Sequence, residues 1–133
     1  MNPHYAPVAS RARHRCEYCH APEVIFNFPF EVEHVVPTSR KGADHESNLA
    51  LACRSCNLLK SDHVTGPDEM TRAEVRLFHP RQDRWEDHFE IDSKTGEIRG
   101  LTPVGRATVA RFRMNSAVQM EARRQWMRLG LFP

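Results

Sequence analysis

Two C-x-x-C pairs, Cys16-Glu17-Tyr18-Cys19 and Cys53-Arg54-Ser55-Cys56, constrain this 133-residue chain more than any other feature, and they hold all four of its cysteines. Cysteines three positions apart can turn onto one ion across a tight knuckle. Two knuckles supply the tetrahedral sulfur set that zinc prefers. A redox C-x-x-C needs a thioredoxin-like pattern, which this chain lacks, and two local disulfides do not suit a reducing cytosol. Four protein thiolates leave zinc no open position, so the expected ion is structural. Its binding energy, on the order of 10 kcal/mol, offsets the cost of folding a short unit.

The length suggests one domain, or a small core with an appendage. The N-terminus carries Pro3, His4, Arg11, Arg13 and Arg15 with no apolar stretch behind them, so no signal peptide is expected and the cytoplasm is the default location. No apolar run approaches the roughly 18 residues needed to span a bilayer, so no membrane partner is expected. The net charge of +2 predicts no partner by itself. From Leu101 to Pro133, however, six arginines face a single acid, Glu121. Arginine forks onto phosphate, which makes these helices candidates for nucleic-acid contact, with a solvated helical surface as the plainer reading.

Something must fill the long gap between Cys19 and Cys53. A helix is expected from about Val8 to His14, with Pro7 in its first turn. Phe30 to Val36 alternates as a strand, with Phe30, Val32 and His34 on one face and Glu31, Glu33 and Val35 on the other. Pro37 ends it, and Thr38 to Ser47 is a polar loop turning at Gly42. Leu49 to Ala52 reads as a second strand, and Arg54 to about Asp62 as a helix. Val64 to Asp68 is expected to be a break, with a turn at Gly66-Pro67. This gives a core at 1–63 and a C-terminal extension at 64–133 that packs on it.

Within the extension, Pro80 to His88 is expected to be a short helix. Phe89–Asp92 and Glu97–Leu101 read as a hairpin around Ser93-Lys94-Thr95-Gly96. The aromatics near Phe78 and Phe89 are expected to pack rather than face a ligand. Thr102-Pro103 caps a helix running to about Met114. Ser116 caps a last helix closed by Gly130, with Val118, Ala122, Trp126 and Leu129 on one face and Arg124 and Arg128 on the other.

Glu33-His34-Val35-Val36-Pro37, then Asn48-Leu49, then Cys53-x-x-Cys56-Asn57 and Lys60, together with Cys16-x-x-Cys19, resemble the HNH endonuclease family, the ββα-metal or treble-clef nucleases. The likeness spans about Cys16 to His63. The family's loop usually shows two glycines where this chain has Lys41-Gly42-Ala43. The resemblance implies an α+β fold: a small zinc-stabilised ββα-metal core, here with a mixed hairpin and helical C-terminal extension. It implies that Cys16, Cys19, Cys53 and Cys56 hold structural Zn2+. It also implies a metal-dependent endonuclease acting on DNA phosphodiester bonds. His34 is then the general base, Glu33 and Asn57 are ligands of the catalytic ion, and Asn48 braces the loop and orients His34. Lys60, Arg54 and Arg40 are candidate phosphate contacts.

Physical chemistry runs the same way. Glu33 and Asn57 offer only oxygen, which suits Mg2+ or Mn2+ with waters completing the shell. Histidine's free pKa suits a base at neutral pH. The alternative is a non-catalytic zinc-ribbon module that binds nucleic acid, with Glu33 and His34 incidental. Nick or double-strand cut is left open; the latter needs a homodimer that the sequence does not show.

Overall fold

The structure, a computed structural model, describes residues 2–133 and resolves into two compact units. The first holds the described residues up to Val64 together with His79–Gln82, and the second holds Thr65–Phe78 and Asp83–Pro133. The architecture is α+β: five α-helices and three two-stranded antiparallel sheets among the described residues.

In the first unit, α1 (Tyr5–Arg11) packs against a hairpin of β1 (Glu31–His34) and β2 (Leu49–Ala52). The helix starts and ends three residues before the expected range, and Pro7 falls within its first turn. Pro7 lacks only an N–H that has no intrahelical acceptor there. Arg11 ties α1 to the hairpin by donating to the carbonyl oxygens of Glu46 (3.0 Å) and Leu49 (2.7 Å). The ladder pairs Glu31 with Ala52, Val32 with Leu51, Glu33 with Ala50 and His34 with Leu49. All four residues of β2 are buried, because α1 and α2 (Arg54–Lys60) both pack against this strand. That double cover explains its continuous Leu-Ala-Leu-Ala run in place of an alternating one.

The first knuckle is sewn to β2 through Glu17. Its N–H donates to the Leu51 carbonyl at 2.9 Å, and its carboxylate accepts the Leu51 N–H at 2.9 Å. The other oxygen of that carboxylate pairs with Arg81. A buried carboxylate, Glu23, anchors the chain between knuckle and strand. It accepts from Tyr5 Oη (2.7 Å) and the Phe30 N–H (2.5 Å), and its Oε1 lies 2.6 Å from His14 Nδ1. Burial pushes this carboxyl up, but the bonds from Phe30, His14 and Tyr5 outweigh it and hold the group below the ordinary carboxylate range.

The second unit departs from the sequence expectation at its start. Gly66 and Pro67 do not form a turn; they lie in β3 (Thr65–Pro67), paired with β4 (Glu74–Arg76). A proline is tolerated here because a two-stranded ribbon leaves N–H positions unpaired on its outer side. The turn falls at Asp68, whose buried carboxylate accepts from Met70 N–H, Thr71 N–H and Thr71 Oγ, and forks with Arg106 at 2.8 and 3.2 Å. Only Trp85–His88 of the expected Pro80–His88 helix is helical (α3). β5 (Phe89–Ile91) and β6 (Ile98–Gly100) form the expected hairpin, with Gly96 in the left-handed region. Phe78 and Phe89 are buried edge-to-face, with ring centroids 5.2 Å apart.

The caps fall where the sequence puts them. Thr102 accepts from the Gly105 N–H at the start of α4 (Pro103–Arg111), and Ser116 from the Gln119 N–H at the start of α5 (Ala117–Arg128). α5 ends with Leu131 N–H on the Trp126 carbonyl and Gly130 N–H on that of Met127, with Gly130 at φ +72°. Its inward face differs from expectation, since Val118 and Leu129 are exposed while Arg123 and Trp126 are buried. Arg123 donates to the Gly96 carbonyl in the β5–β6 turn and, between α4 and α5, to the Met114 carbonyl and Asn115 Oδ1. No helix among the described residues is long and apolar enough to cross a membrane.

Candidate metal centre and active site

The four cysteine sulfurs lie within 4.8 Å of one another, and all four residues are buried. Cys19 and Cys53 approach to 3.8 Å. Cys53 doubles as the N-cap of α2, its sulfur accepting the Cys56 N–H at 3.5 Å. Four buried sulfurs within 4.8 Å of one another fit a tetrahedral zinc.

This cluster fixes the geometry of everything beside it. Ala52, the last residue of β2, precedes Cys53, and Asn57 follows Cys56. α2 therefore lies across β1 in a set register. Arg54, Asn57 and Lys60, spaced three apart, share a helix face. They meet the two glutamates that share a face of β1. Arg54 Nη1 is 3.5 Å from Glu31 Oε1, Asn57 Nδ2 donates to Glu31 Oε2, and Lys60 Nζ is 3.0 Å from Glu33 Oε2.

Glu33 is 6% exposed. Its other oxygen accepts from Tyr18 Oη, a buried hydroxyl on the first cysteine knuckle. Burial raises the Glu33 carboxyl above its ordinary value, opposed by Lys60 and by the Tyr18 bond. Burial and the neighbouring Glu33 push the Tyr18 phenol up as well. Lys60, expected at phosphate, is instead 2% exposed and also donates to the His34 carbonyl at 3.2 Å. It was drawn inward because a carboxylate on a packed face needs a nearby opposite charge.

His34 points from the opposite side of β1, half-buried, with Nε2 3.0 Å from Asp44 Oδ1. The hydrogen bond from His34 is the largest influence holding the exposed Asp44 carboxyl below its ordinary value. His4 Nε2 lies 3.6 Å from the same oxygen. Asp44 was not singled out from the sequence; a lone aspartate in a polar loop carries no signal before the loop is folded.

Asn48 holds that loop. Its Oδ1 accepts the Val36 N–H at 2.9 Å, and its Nδ2 donates to the Val36 carbonyl (2.9 Å) and the Ala43 carbonyl (2.8 Å). Gly42 is packed so closely that an added Cβ would sit 1.7 Å from the Val36 carbonyl oxygen. The neighbouring left-handed position is taken by Lys41, at φ +66°, not by a second glycine. Arg40 donates from Nε to the Asp62 carbonyl at 2.9 Å, and the Arg54 side chain is 77% exposed.

The structure thus sets Glu33 and Asn57 on the α2-facing side of the hairpin, each already engaged, and His34 on the other side with Asp44. The donor chemistry of Glu33 and Asn57 fits a hard divalent ion. Each carboxylate oxygen retains lone-pair capacity beyond the single bond that it accepts here. A family model described as HNH endonuclease matches residues 16–63. No curated protein and no solved structure matches the chain.

Proposed function

We propose that the protein is a metal-dependent endonuclease hydrolysing DNA phosphodiester bonds, a reading supported by the match of residues 16–63 to a family model described as HNH endonuclease. One observation carries the reading. The matched segment is the zinc-anchored hairpin and helix that presents Glu33, His34, Asn48 and Asn57 within one unit.

In this reading His34 takes the proton of the water that attacks phosphorus. Asp44 holds the imidazole at Nε2, leaving Nδ1 as the basic nitrogen. Asn48 keeps the loop that carries Asp44 closed against β1. Glu33 and Asn57 would hold Mg2+ or Mn2+, which when bound would stabilise negative charge on the phosphate and the leaving oxygen. Tyr18 and Lys60 keep the Glu33 carboxylate fixed in its buried position. Arg54, and the exposed part of Arg40, are the phosphate contacts that remain.

The test is nicking of supercoiled plasmid across a panel of divalent ions. Wild-type protein should cut in Mg2+ or Mn2+. His34→Ala should lose about 10²–10⁴-fold in rate while keeping its zinc and helix content. Full activity in that variant removes His34 from the mechanism.

The sealed Glu33–Lys60 pair favours a second reading, a zinc-ribbon module that binds nucleic acid without cutting it. It expects salt-dependent binding and no nicking with any divalent ion.

A further inference from the structure

The structure assigns a positioning role to Glu31, a residue outside the signature motif: it turns the Asn57 amide so that the oxygen, not the nitrogen, is offered to the divalent ion. This inference rests on the nuclease reading above.

An asparagine amide has a donor end and an acceptor end of nearly equal size, and only the oxygen binds a hard cation. In Asn57 the choice is made by Glu31, whose Oε2 accepts from Nδ2. An ionised carboxylate only accepts, so the flipped amide would set three acceptor oxygens against one another with no proton between them. Oδ1 is therefore turned away from Glu31.

Glu31 is held for this task from two sides. Its backbone sits in the ladder opposite Ala52, next to the zinc ligand Cys53. Its other carboxylate oxygen lies 3.5 Å from Arg54 Nη1. Asn57 is held with equal firmness, one residue after the ligand Cys56 and with its own N–H on the Cys53 carbonyl at 2.9 Å. Both partners are thus referenced to the same four-sulfur cluster. Glu33, two residues along the same face, is engaged by Tyr18 and Lys60. The two glutamates of β1 divide the work, one held by Tyr18 and Lys60 as the carboxylate ligand and one aiming the amide.

The experiment uses the full-length, zinc-loaded protein and reads two quantities: Mn2+ binding by electron paramagnetic resonance, and the Mn2+ dependence of plasmid nicking. Glu31→Gln should raise the Mn2+ concentration for half-saturation by about 10–100-fold. The nicking rate at saturating Mn2+, the zinc content and the metal-free affinity for DNA should stay near wild type. Because Glu31 acts through Asn57, Glu31→Gln should have no further effect on Mn2+ binding in an Asn57→Ala background. An unchanged half-saturation in Glu31→Gln overturns the inference. So does an additive loss in the double variant, which would make Glu31 an independent ligand. Loss of zinc in both Glu31→Gln and Glu31→Ala would assign the residue to the fold and also overturn it. The nuclease reading fails separately: wild-type protein that binds Mn2+ but cuts nothing refutes catalysis while the binding data still decide the role of Glu31. Wild-type protein that binds no Mn2+ refutes both.

Discussion

Lys60 Nζ sits 3.0 Å from Glu33 Oε2, with the two side chains only 2% and 5% exposed. Removing one partner of such a pair strands the other charge without solvent. Lys60→Met should therefore destabilise the first unit by about 3–5 kcal/mol. Adding Glu33→Gln to Lys60→Met should recover part of that loss, because no ionised group is then stranded. Urea melts of the two single variants and the double variant measure the coupling. If Lys60→Met melts like wild type, the pair is not structural.

Zinc removal should act on the two units unequally. The four sulfurs organise α2, β2 and the first knuckle, whereas the second unit closes through Asp68–Arg106 and the Arg123 network. A strong chelator, or Cys56→Ser, should abolish the cooperative unfolding of the first unit and leave helical signal from α4 and α5. Zinc analysis alongside circular dichroism checks this. Complete loss of helix on chelation would show that the second unit depends on the metal too.

Acid should loosen the anchor at Glu23. Its folded-state pKa lies below the ordinary carboxylate value, so it contributes stability above about pH 4.3 that is lost as pH falls through the folded value. Glu23→Gln should flatten that acid limb. It should also cost about 1–3 kcal/mol at neutral pH, since the Phe30 N–H and the Tyr5 hydroxyl lose a charged acceptor. Thermal melts between pH 3 and 7 separate the two effects. An identical acid limb in the variant would assign it to another group.

The C-terminal arginines should sort by burial. Arg123 has no exposure and donates to backbone carbonyls, so Arg123→Met should lower stability and leave the salt dependence of DNA binding unchanged. Arg113 and Arg128 are exposed. If this surface meets phosphate, replacing both with alanine should reduce the slope of log K against log salt by about 2 while the melting temperature holds. Binding measured from 50 to 200 mM salt gives the answer. An unchanged slope leaves the arginine excess of this segment as solvated surface.

Much of the fold was legible because its instructions are local. The caps at Thr102 and Ser116 and the stop at Gly130 each need only a side chain and backbone a few residues away. The β3–β4 hairpin was not legible. Gly66-Pro67 carries the usual marks of a turn, and the true turn depends on Asp68 meeting Arg106, 38 residues on. Val118 and Leu129 were misplaced for a related reason. Helical spacing says which residues share a face, but the neighbours decide whether that face is covered, and here they buried Arg123 instead.

By itself, the sequence determined the gathering of the four cysteines and the hairpin and helix that lie between and after them. Cysteine spacing is a chelation constraint, and the signature residues sit at fixed offsets from the ligands. Tertiary structure alone decided the partnerships: Lys60 with Glu33, Glu31 with Asn57, Asp44 with His34. The first depends on charges carried out of water when α2 closes on β1, the last on the loop folding back to bring the exposed Asp44 within reach of His34. A carboxylate can bind any donor in solution, but once packed it keeps the one that the fold brings within reach.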